Sequence, residues 1–396
     1  MKKIFLFLFF AGFISNSFAQ NSTLEIYGHV MTDAGYQINT ADPDWFDVMR
    51  VTKLPAFPGQ FAPDGKTFFS VRQTRFGVKS NTPTKIGNLF TQFEFELFGT
   101  GADAGQTTFR LRHAYGQIGK FGAGQYWSPF MDVDVFPNTL EYWGPSGMVF
   151  FRNLQIRYMP LMEGNTKLTF ALERPGASGD GGIYANRIEL TSIKPQFYLP
   201  DFSAEWRQSG DFGYVELAGI LRSIKWRDTN PDTLSFDGSA LGWGLNLSSN
   251  LNITKNDVLR LQGVYGEGIE NYMNDAPADI GIDTSFEGKS KGRPVKGVPL
   301  PILGVVAFLD HNWSSKFSSS VGYSLEKIEN SDGQAANAFK SGQYAIANLL
   351  YYPVKNVMAG VEFQWAERQD LSGFKSHDSK IQFSFKYNFS RVFKFD

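Results

Sequence analysis

Cysteine is missing from this sequence of 396 residues, which excludes a disulfide framework and a lipid-modified cysteine at the start of a mature chain. Histidine is scarce: only four are present, far apart in the sequence, so we expect no metal site and no cofactor. Long apolar runs are also missing, because after the N-terminal segment no run is long enough to cross a bilayer as a helix. The formal net charge of −1 at pH 7 argues against binding to nucleic acid.

The N-terminal segment has the pattern of an export signal. The positively charged start MKK is followed by a short apolar run, and the segment ends in a small-x-small triplet at Ala19. The apolar run is too short to serve as a transmembrane anchor. We therefore predict a signal peptide over residues 1–19, cut after Ala19, and a single exported domain over residues 20–396.

Period-two alternation of apolar and polar residues recurs from the start of this predicted domain to its end. The clearest example is residues 381–389, where Ile, Phe, Phe, Tyr and Phe alternate with Gln, Ser, Lys and Asn. Aromatic residues make up 16% of the sequence although the mean hydropathy is only −0.24, as expected for half-apolar strands joined by polar loops. We count about sixteen such segments and predict an all-β fold, a sixteen-stranded antiparallel transmembrane β-barrel.

A soluble β-sandwich is the alternative for alternating strands, with the apolar face turned inward. A sandwich rarely needs an aromatic residue at nearly every apolar position, and its other face has no reason to carry so many arginines. The connections also favour the barrel, because long ones such as residues 34–66, 128–150, 175–201 and 268–299 alternate with tight turns. Short periplasmic turns and long external loops are typical of outer-membrane barrels.

The connection between the strands predicted at 121–127 and 151–159 is long, acidic and aromatic. It carries Asp132, Asp134 and Glu141 among several aromatic residues. A loop of this length between two strands is usually functional, and a carboxylate resists burial unless it is paired or hydrated. We therefore predict that this loop folds into a water-filled lumen, as the constriction loop of a porin does.

Basic residues recur on the polar faces of the predicted strands, where they would line the lumen. If the loop folds inward, its three acids would oppose arginines across a narrow waist, and the transverse field would favour anions on the arginine side. Each arginine could instead pair with Glu94, Glu96 or Glu173 and merely neutralise the lumen. To the constriction we assign, with the three acids, Arg75, Arg110, Arg112 and Arg157, and to the lumen wall Lys167, Arg207, Arg222 and Arg260.

The alternation in residues 109–116 places Arg110 and Arg112 on the lumen face and His113 and Tyr115 on the lipid face. An interfacial role for His113 is then favoured over catalysis. No HExxH or GxSxG motif occurs, so we expect no enzymatic activity. The alternatives are an outer-membrane hydrolase with a Ser/His or Asp/His site at the barrel rim, and a non-conducting receptor or adhesin. Conductance in planar bilayers distinguishes a channel from both.

Several blocks of the sequence resemble a known family of outer-membrane proteins. They are LRHAYGQIGKF (111–121), GAGQYWSPFMD (122–132), FPNTLEYWGPSG (136–147), LQIRY (154–158), DFGYVELAGILR (211–222), LGWGLNLSSNLNI (241–253), YGEGI (265–269) and IQFSFKYNF (381–389). In these blocks and in their order the chain is similar to the DcaP-like outer-membrane porin family. The resemblance implies a homotrimeric, sixteen-stranded porin in the outer membrane of a Gram-negative bacterium. It would contact lipid and lipopolysaccharide and pass small hydrophilic, often anionic, solutes.

Two features depart from the pattern of that family. Its members can carry an N-terminal coiled-coil segment before the barrel, whereas here the first predicted strand begins within a few residues of Ala19. The barrel of the family also tends to stop at a terminal aromatic residue, which here would be Phe389, although residues 390–396 follow it. We predict that Phe389 closes the barrel.

Overall fold

The computed structural model describes residues 22–230, 235–284 and 295–395. The predicted signal peptide lies outside these ranges. No helix in the described ranges has the length and hydropathy needed to cross a bilayer. Regular structure there is almost entirely β-strand, interrupted by six single-turn 3₁₀ helices.

Twenty strands occur in the described ranges, and they are numbered in chain order. Their bounds are β1 (Ser22–Gln37), β2 (Lys66–Ser70), β3 (Arg75–Thr84), β4 (Gly87–Phe98), β5 (Thr107–Ile118), β6 (Phe121–Trp127), β7 (Arg152–Leu161), β8 (Thr166–Glu173), β9 (Ile193–Pro195), β10 (Asp201–Gly210), β11 (Gly213–Asp228), β12 (Gly238–Asn252), β13 (Asp257–Glu267), β14 (Ile280–Asp283), β15 (Lys296–Pro299), β16 (Pro301–Asn312), β17 (Phe317–Ile328), β18 (Phe339–Tyr351), β19 (Val357–Asp370) and β20 (Lys375–Phe395).

These strands form one closed antiparallel barrel of sixteen strands. β2 and β3 both pair with β1, so they are two parts of one barrel strand, and β9 and β10 both pair with β11 in the same way. β14 and β15 form a separate hairpin within a loop. β20 pairs with β1 over the whole length of β1, which closes the ring. The predicted sixteen-stranded all-β barrel is confirmed.

The alternation of the sequence follows from the two environments of a barrel wall. On β20, Phe383 and Phe385 project outward and are about half exposed, whereas Gln382 and Ser384 project inward and are fully buried. Inward polar side chains of this kind need hydrogen-bond partners, and Gln382 and Ser384 both donate to Asp33 Oδ1 of β1. The pattern repeats around the ring, so the outer surface is apolar and the inner surface is largely polar.

A β-bulge between β4 and β5 reverses the predicted faces of two residues. Glu94 is opposite His113, but the next residue on β4, Phe95, is opposite Leu111, so Arg112 is the extra residue. After one extra residue every following side chain changes face. The prediction that His113 and Tyr115 face lipid is therefore wrong, because both are buried on the inner side of the wall.

The last strand is longer than the sequence pattern predicted. β20 continues past Phe389 to Phe395, and residues 390–395 pair with residues 22–27 of β1. On its other side β20 is paired with β19 only as far as Tyr387, which is opposite Val357. The prediction that Phe389 ends the barrel strand is therefore wrong. The final residues form a ribbon with β1 beyond the end of β19.

Truncation after Phe389 is expected to leave a membrane-inserted barrel that denatures at a lower temperature than the full chain. The rest of β20 keeps its pairing with β19, and the start of β1 keeps β3 as a partner, so the ring stays closed. The loss is six register pairs between β20 and β1. The measurement is the temperature at which the detergent-extracted protein changes from the gel mobility of its folded form to that of the denatured chain, with Lys394→Ala as the control. Complete loss of insertion would instead assign an assembly signal to the last residues.

A hydrophobic core lies inside the barrel, against one side of the wall. Its wall residues project inward from β11, β13 and β16 to β19, and they pack on residues of the inner loops. Because lipid lies outside and water inside a barrel, such side chains are stable only when another segment covers them. The wall residues of this core are Ala218, Ile220, Val264, Ile302, Val306, Phe308, Ile328, Phe339, Tyr344, Ile346 and Ala366.

Candidate functional site

Three connections between barrel strands lie inside the lumen, and they determine what space is left in it. Each contacts inward side chains of the wall, which establishes that the connection is folded into the barrel. We name them loop A (residues 38–65), loop B (residues 128–151) and loop C (residues 268–279).

Loop B is fixed to the wall chiefly by apolar packing. Phe130, Val135 and Met148 are fully buried in the internal core, against its wall residues. Backbone contact is also close, because a Cβ at Gly304 of β16 would overlap the carbonyl oxygen of Gly147. Loop B therefore lies directly on the wall formed by β11 to β19.

The two aspartates of loop B form ion pairs with Arg207 of β10. Arg207 Nη2 lies 2.7 Å from Asp132 Oδ1, and Arg207 Nη1 lies 2.5 Å from Asp134 Oδ2. Asp132 also accepts hydrogen bonds from the hydroxyls of Tyr214 and Ser248, both at 2.6 Å. The partner is thus a residue that sequence reasoning assigned to the lumen wall, and not one of the arginines assigned to the constriction.

Glu141 of loop B is buried and does not reach the aqueous lumen. Its carboxylate accepts the backbone N–H groups of Met49 at 3.1 Å, Trp143 at 2.9 Å and Gly144 at 2.5 Å. Burial raises the pKa of Glu141 to about 8, and these three donors oppose part of that rise. The structure therefore places Glu141 away from the pore lining predicted for it, in a position where it joins loop B to loop A.

Four arginines gather on the opposite side of the lumen around Glu96 of β4. Glu96 is fully buried, and its carboxylate lies 2.5 Å from Arg112, 3.4 Å from Arg110, 3.5 Å from Arg75 and 3.7 Å from Arg152. The hydroxyl of Tyr142 in loop B donates to the same carboxylate. This arginine cluster brings together three of the residues assigned to the constriction from the sequence.

Glu94 is the second carboxylate of the arginine cluster. It accepts from Arg112 Nε at 2.6 Å and lies 3.7 Å from Arg75. Four guanidinium groups and two carboxylates give the cluster a formal charge of +2, so pairing with glutamate reduces the positive charge without cancelling it. Arg112 and Arg152 are nearly buried, whereas the side chains of Arg75 and Arg110 are 27% and 29% exposed and face the lumen.

The charge on the loop B side has the opposite sign. Arg207 is shared among Asp132, Asp134 and Glu216, the last at 2.5 Å, which gives a formal charge of −2. Asp134 is the exposed member, with 56% of its side chain accessible. The lumen therefore carries positive charge along β3 to β7 and negative charge near β10 to β12. The acidic residues predicted to face the constriction arginines pair instead with Arg207, so the predicted transverse field stays a prediction.

The remaining residues assigned from the sequence have structural contacts of their own. Arg157 is held by neutral groups, since it donates to Gln155 Oε1 at 2.9 Å and lies over Tyr115 and Tyr126. Lys167 is exposed near the turn between β7 and β8. Arg222 is fully buried against Asp201 and Asp279, and Arg260 pairs with Asp310 at 2.6 Å. Arg222 joins loop C to the wall, and Arg260 also donates to the backbone of loop B.

Arg152 and Arg50 were missed by the sequence reasoning. Arg152 begins β7 and has the same parity as Leu154 and Ile156, which face lipid, so the alternation assigns it to the wrong side. Its side chain nevertheless reaches Glu96 and lies over the Trp127 ring at 5.1 Å. Arg50 belongs to a loop, where alternation gives no information.

A cavity of about 380 Å³ lies beside the arginine cluster. Arg50, Arg110 and Arg152 contribute positive charge to its wall, and five of the other lining residues are aromatic. Its aromatic lining residues come from loops A and B and are Trp45, Tyr142, Trp143, Phe150 and Phe151. The described residues include no group of three or more His, Cys, Asp or Glu side chains placed to bind a metal ion. The cavity wall thus combines guanidinium groups with aromatic faces.

A closed sixteen-stranded barrel with an apolar exterior, a polar interior and loops folded into its lumen defines the porin class of outer-membrane proteins. Within that class the chain belongs to the DcaP outer membrane protein family, whose model matches residues 15–389. The match ends at Phe389, so residues 390–395 of β20 lie beyond the part shared with the family.

Solved structures support the same fold. The outer membrane channel DcaP of Acinetobacter baumannii has a TM-score of 0.78 at 21% sequence identity, covering 93% of this chain and 97% of that one. An anion-selective porin from Comamonas acidovorans has a TM-score of 0.59 at 10% identity, covering 93% and 100%. The trimer form of OmpT from Vibrio cholerae has a TM-score of 0.54 at 11% identity, covering 93% and 99%. None of the curated protein sequences matches the chain.

Proposed function

We propose that this protein is a passive diffusion channel of the Gram-negative outer membrane that passes small hydrophilic solutes and prefers anions. The observation that carries the proposal is the arginine cluster, with its formal charge of +2 and with Arg75 and Arg110 facing the lumen. Guanidinium groups stay charged at every accessible pH, so their field is permanent. Loop B contacts the arginine cluster through Tyr142, and in this proposal it forms the constriction.

The separation of charge across the lumen supports a mechanism for selection. An anion entering beside Arg75 and Arg110 is attracted, whereas a cation is drawn towards Asp134 on the opposite side. Solutes with separated charges would be oriented by the same field before they pass loop B. The anion-selective porin from Comamonas acidovorans has a similar fold, which is consistent with a barrel of this type having anion preference.

The proposal includes a homotrimer and export by cleavage of the predicted signal peptide. The trimer form of OmpT from Vibrio cholerae shares the fold, and the resemblance noted in the sequence implies the same assembly. The N-terminal pattern ending at Ala19 supports export. Lipid and lipopolysaccharide would contact the apolar exterior.

The protein extracted in mild detergent and left unboiled is expected to run as a trimer and to conduct in planar bilayers. Under a potassium chloride gradient the reversal potential should lie closer to the equilibrium potential of chloride than to that of potassium. The preference should be stronger at low salt, because the Debye length falls from about 10 Å at 0.1 M to about 3 Å at 1 M. A reversal potential closer to the equilibrium potential of potassium, or no current from correctly folded trimer, would contradict the proposal.

A further inference from the structure

Arg50 of loop A lies where the three inner loops meet. Its guanidinium carbon is 4.1 Å from the ring centroid of Trp45 in loop A and 4.2 Å from that of Trp143 in loop B. Its Nη2 and Nε atoms donate to Asp275 Oδ1 of loop C at 2.7 Å and 3.0 Å. One planar group is therefore held by a residue from each loop, a geometry that suits arginine and not lysine.

Asp275 accepts hydrogen bonds from Arg50 and from a second residue of loop A at this junction. Its Oδ2 accepts the backbone N–H of Thr52 at 3.1 Å, and its Oδ1 accepts the hydroxyl of Thr52 as well as Arg50. Loops B and C are joined beside it, because Trp143 Nε1 donates to the carbonyl of Asn274 at 2.8 Å. The Asp275 side chain is 1% exposed, so its charge is available to Arg50 and hidden from the lumen.

The side chain of Arg50 is more exposed than that of Asp275. Its side chain is 12% exposed and forms part of the wall of the 380 Å³ cavity, which it shares with Arg110 and Arg152. The pair is formally neutral while Asp275 is charged. The guanidinium group of Arg50 thus lies at the wall of the proposed anion path, and the buried carboxylate of Asp275 compensates its positive charge.

We infer that the ion pair of Arg50 and Asp275, which we name the charge lock, both holds the three inner loops together and limits the anion preference of the pore. Arg50 positions loops A, B and C around the lumen, and it is also a selectivity residue whose positive charge is masked by Asp275. This inference rests on the proposed anion channel and adds to it a residue outside the arginine cluster. It implies that the two residues have opposite effects on selectivity even though they belong to one contact.

Asp275→Asn is expected to increase anion preference. The amide keeps an oxygen that can accept from Arg50 and Thr52, while the compensating negative charge is lost. One unmasked charge at roughly 8 Å from the path in water favours anions by about twofold and disfavours cations by about twofold, so the permeability ratio changes by about fourfold. The measurement is the reversal potential in planar bilayers at low salt. Glu163→Gln, which removes an exposed acid in the turn between β7 and β8, is the control and should leave the potential unchanged.

Arg50→Gln is expected to reduce anion preference by a similar factor and to raise the open-channel current noise. The noise should rise because the three loops lose their common contact. The double variant Arg50→Gln/Asp275→Asn removes one charge of each sign, so its reversal potential should return to the wild-type value while its noise stays high. If the pair only fastened the loops, both single replacements would move the potential in the same direction, and that result would overturn the lock.

Arg50→Lys tests the lock with the least risk to folding. Lysine keeps the charge but cannot contact both indole rings and Asp275 at once, so the potential should stay at the wild-type value while the noise rises. Wild-type noise in Arg50→Lys would overturn the positioning role, and an unchanged potential in Asp275→Asn on an anion-preferring wild type would overturn the masking role. A wild type without anion preference would count against the proposed function instead.

Discussion

Replacing Arg75 and Arg110 together by glutamine is expected to abolish most of the anion preference proposed for this protein. These are the two exposed members of the arginine cluster, and their loss changes its formal charge from +2 to zero. At roughly 8 Å in water each unit charge contributes about 0.5 kcal/mol. Loss of both therefore disfavours anions by about fivefold and favours cations by about fivefold, which is about a 25-fold change in the permeability ratio at low salt. The reversal potential under a salt gradient measures the effect directly.

The matched control for this experiment removes two positive charges elsewhere on the chain. Arg187 and Lys194 are exposed in the connection between β8 and β10, so Arg187→Gln/Lys194→Gln preserves the net-charge change without touching the lumen cluster. Its reversal potential should equal that of the wild type. If the control and the test variants shifted the potential equally, a general surface charge would explain selectivity and the arginine cluster would not.

Glu96→Ala is expected to cause a large loss of barrel stability. Glu96 is fully buried and is the shared counter-charge of Arg75, Arg110, Arg112 and Arg152. Removal of one partner from a buried ion pair costs about 3–5 kcal/mol, because the remaining charge loses its compensation in a poorly solvated place. The free energy of unfolding, followed by gel mobility or tryptophan fluorescence in urea, should fall by about that amount.

Two further variants separate the charge of Glu96 from its shape. Glu96→Gln keeps the size and one acceptor oxygen, so it should retain part of the lost stability. Glu25→Ala breaks a partly exposed pair with Lys79 at 3.0 Å, for which a loss below about 1 kcal/mol is expected. Equal losses for Glu96→Ala and Glu25→Ala would show that the arginine cluster is solvated and does not depend on its central acid.

The strands were predictable because half of their positions face lipid and half face the interior. The segment predicted at residues 121–127 is strand β6 with the same limits, and loop B follows where a long connection was expected. Alternation fails where the backbone departs from a regular ladder. The bulge at Arg112 is such a departure, whereas Arg152 lies in a regular ladder and only its side chain reaches inward; neither leaves a mark in the sequence.

The site was only partly predictable for a different reason. Which arginine meets which acid depends on contacts between distant parts of the chain: Arg207 and Asp132 are 75 residues apart, and Arg50 and Asp275 are 225 apart. Composition can indicate that loop B enters the lumen, but it cannot choose the wall on which the loop rests. The apolar inner wall decides that choice, and the sequence reasoning had assigned the inner face to polar residues alone.

The apolar inner wall also bears on when loop B can dock inside the barrel during folding. Its cover comes from loop B, and Gly147 of this loop meets Glu326 across 179 residues of chain. Contacts of such high sequence separation form late, after the loop-closure entropy has been overcome by the intervening strands. Until then the inward side chains of β16 to β18 have neither lipid nor protein against them. A barrel without this cover would thus expose an aggregation-prone apolar surface to the periplasm. The docking of loop B onto the inner wall removes that exposure.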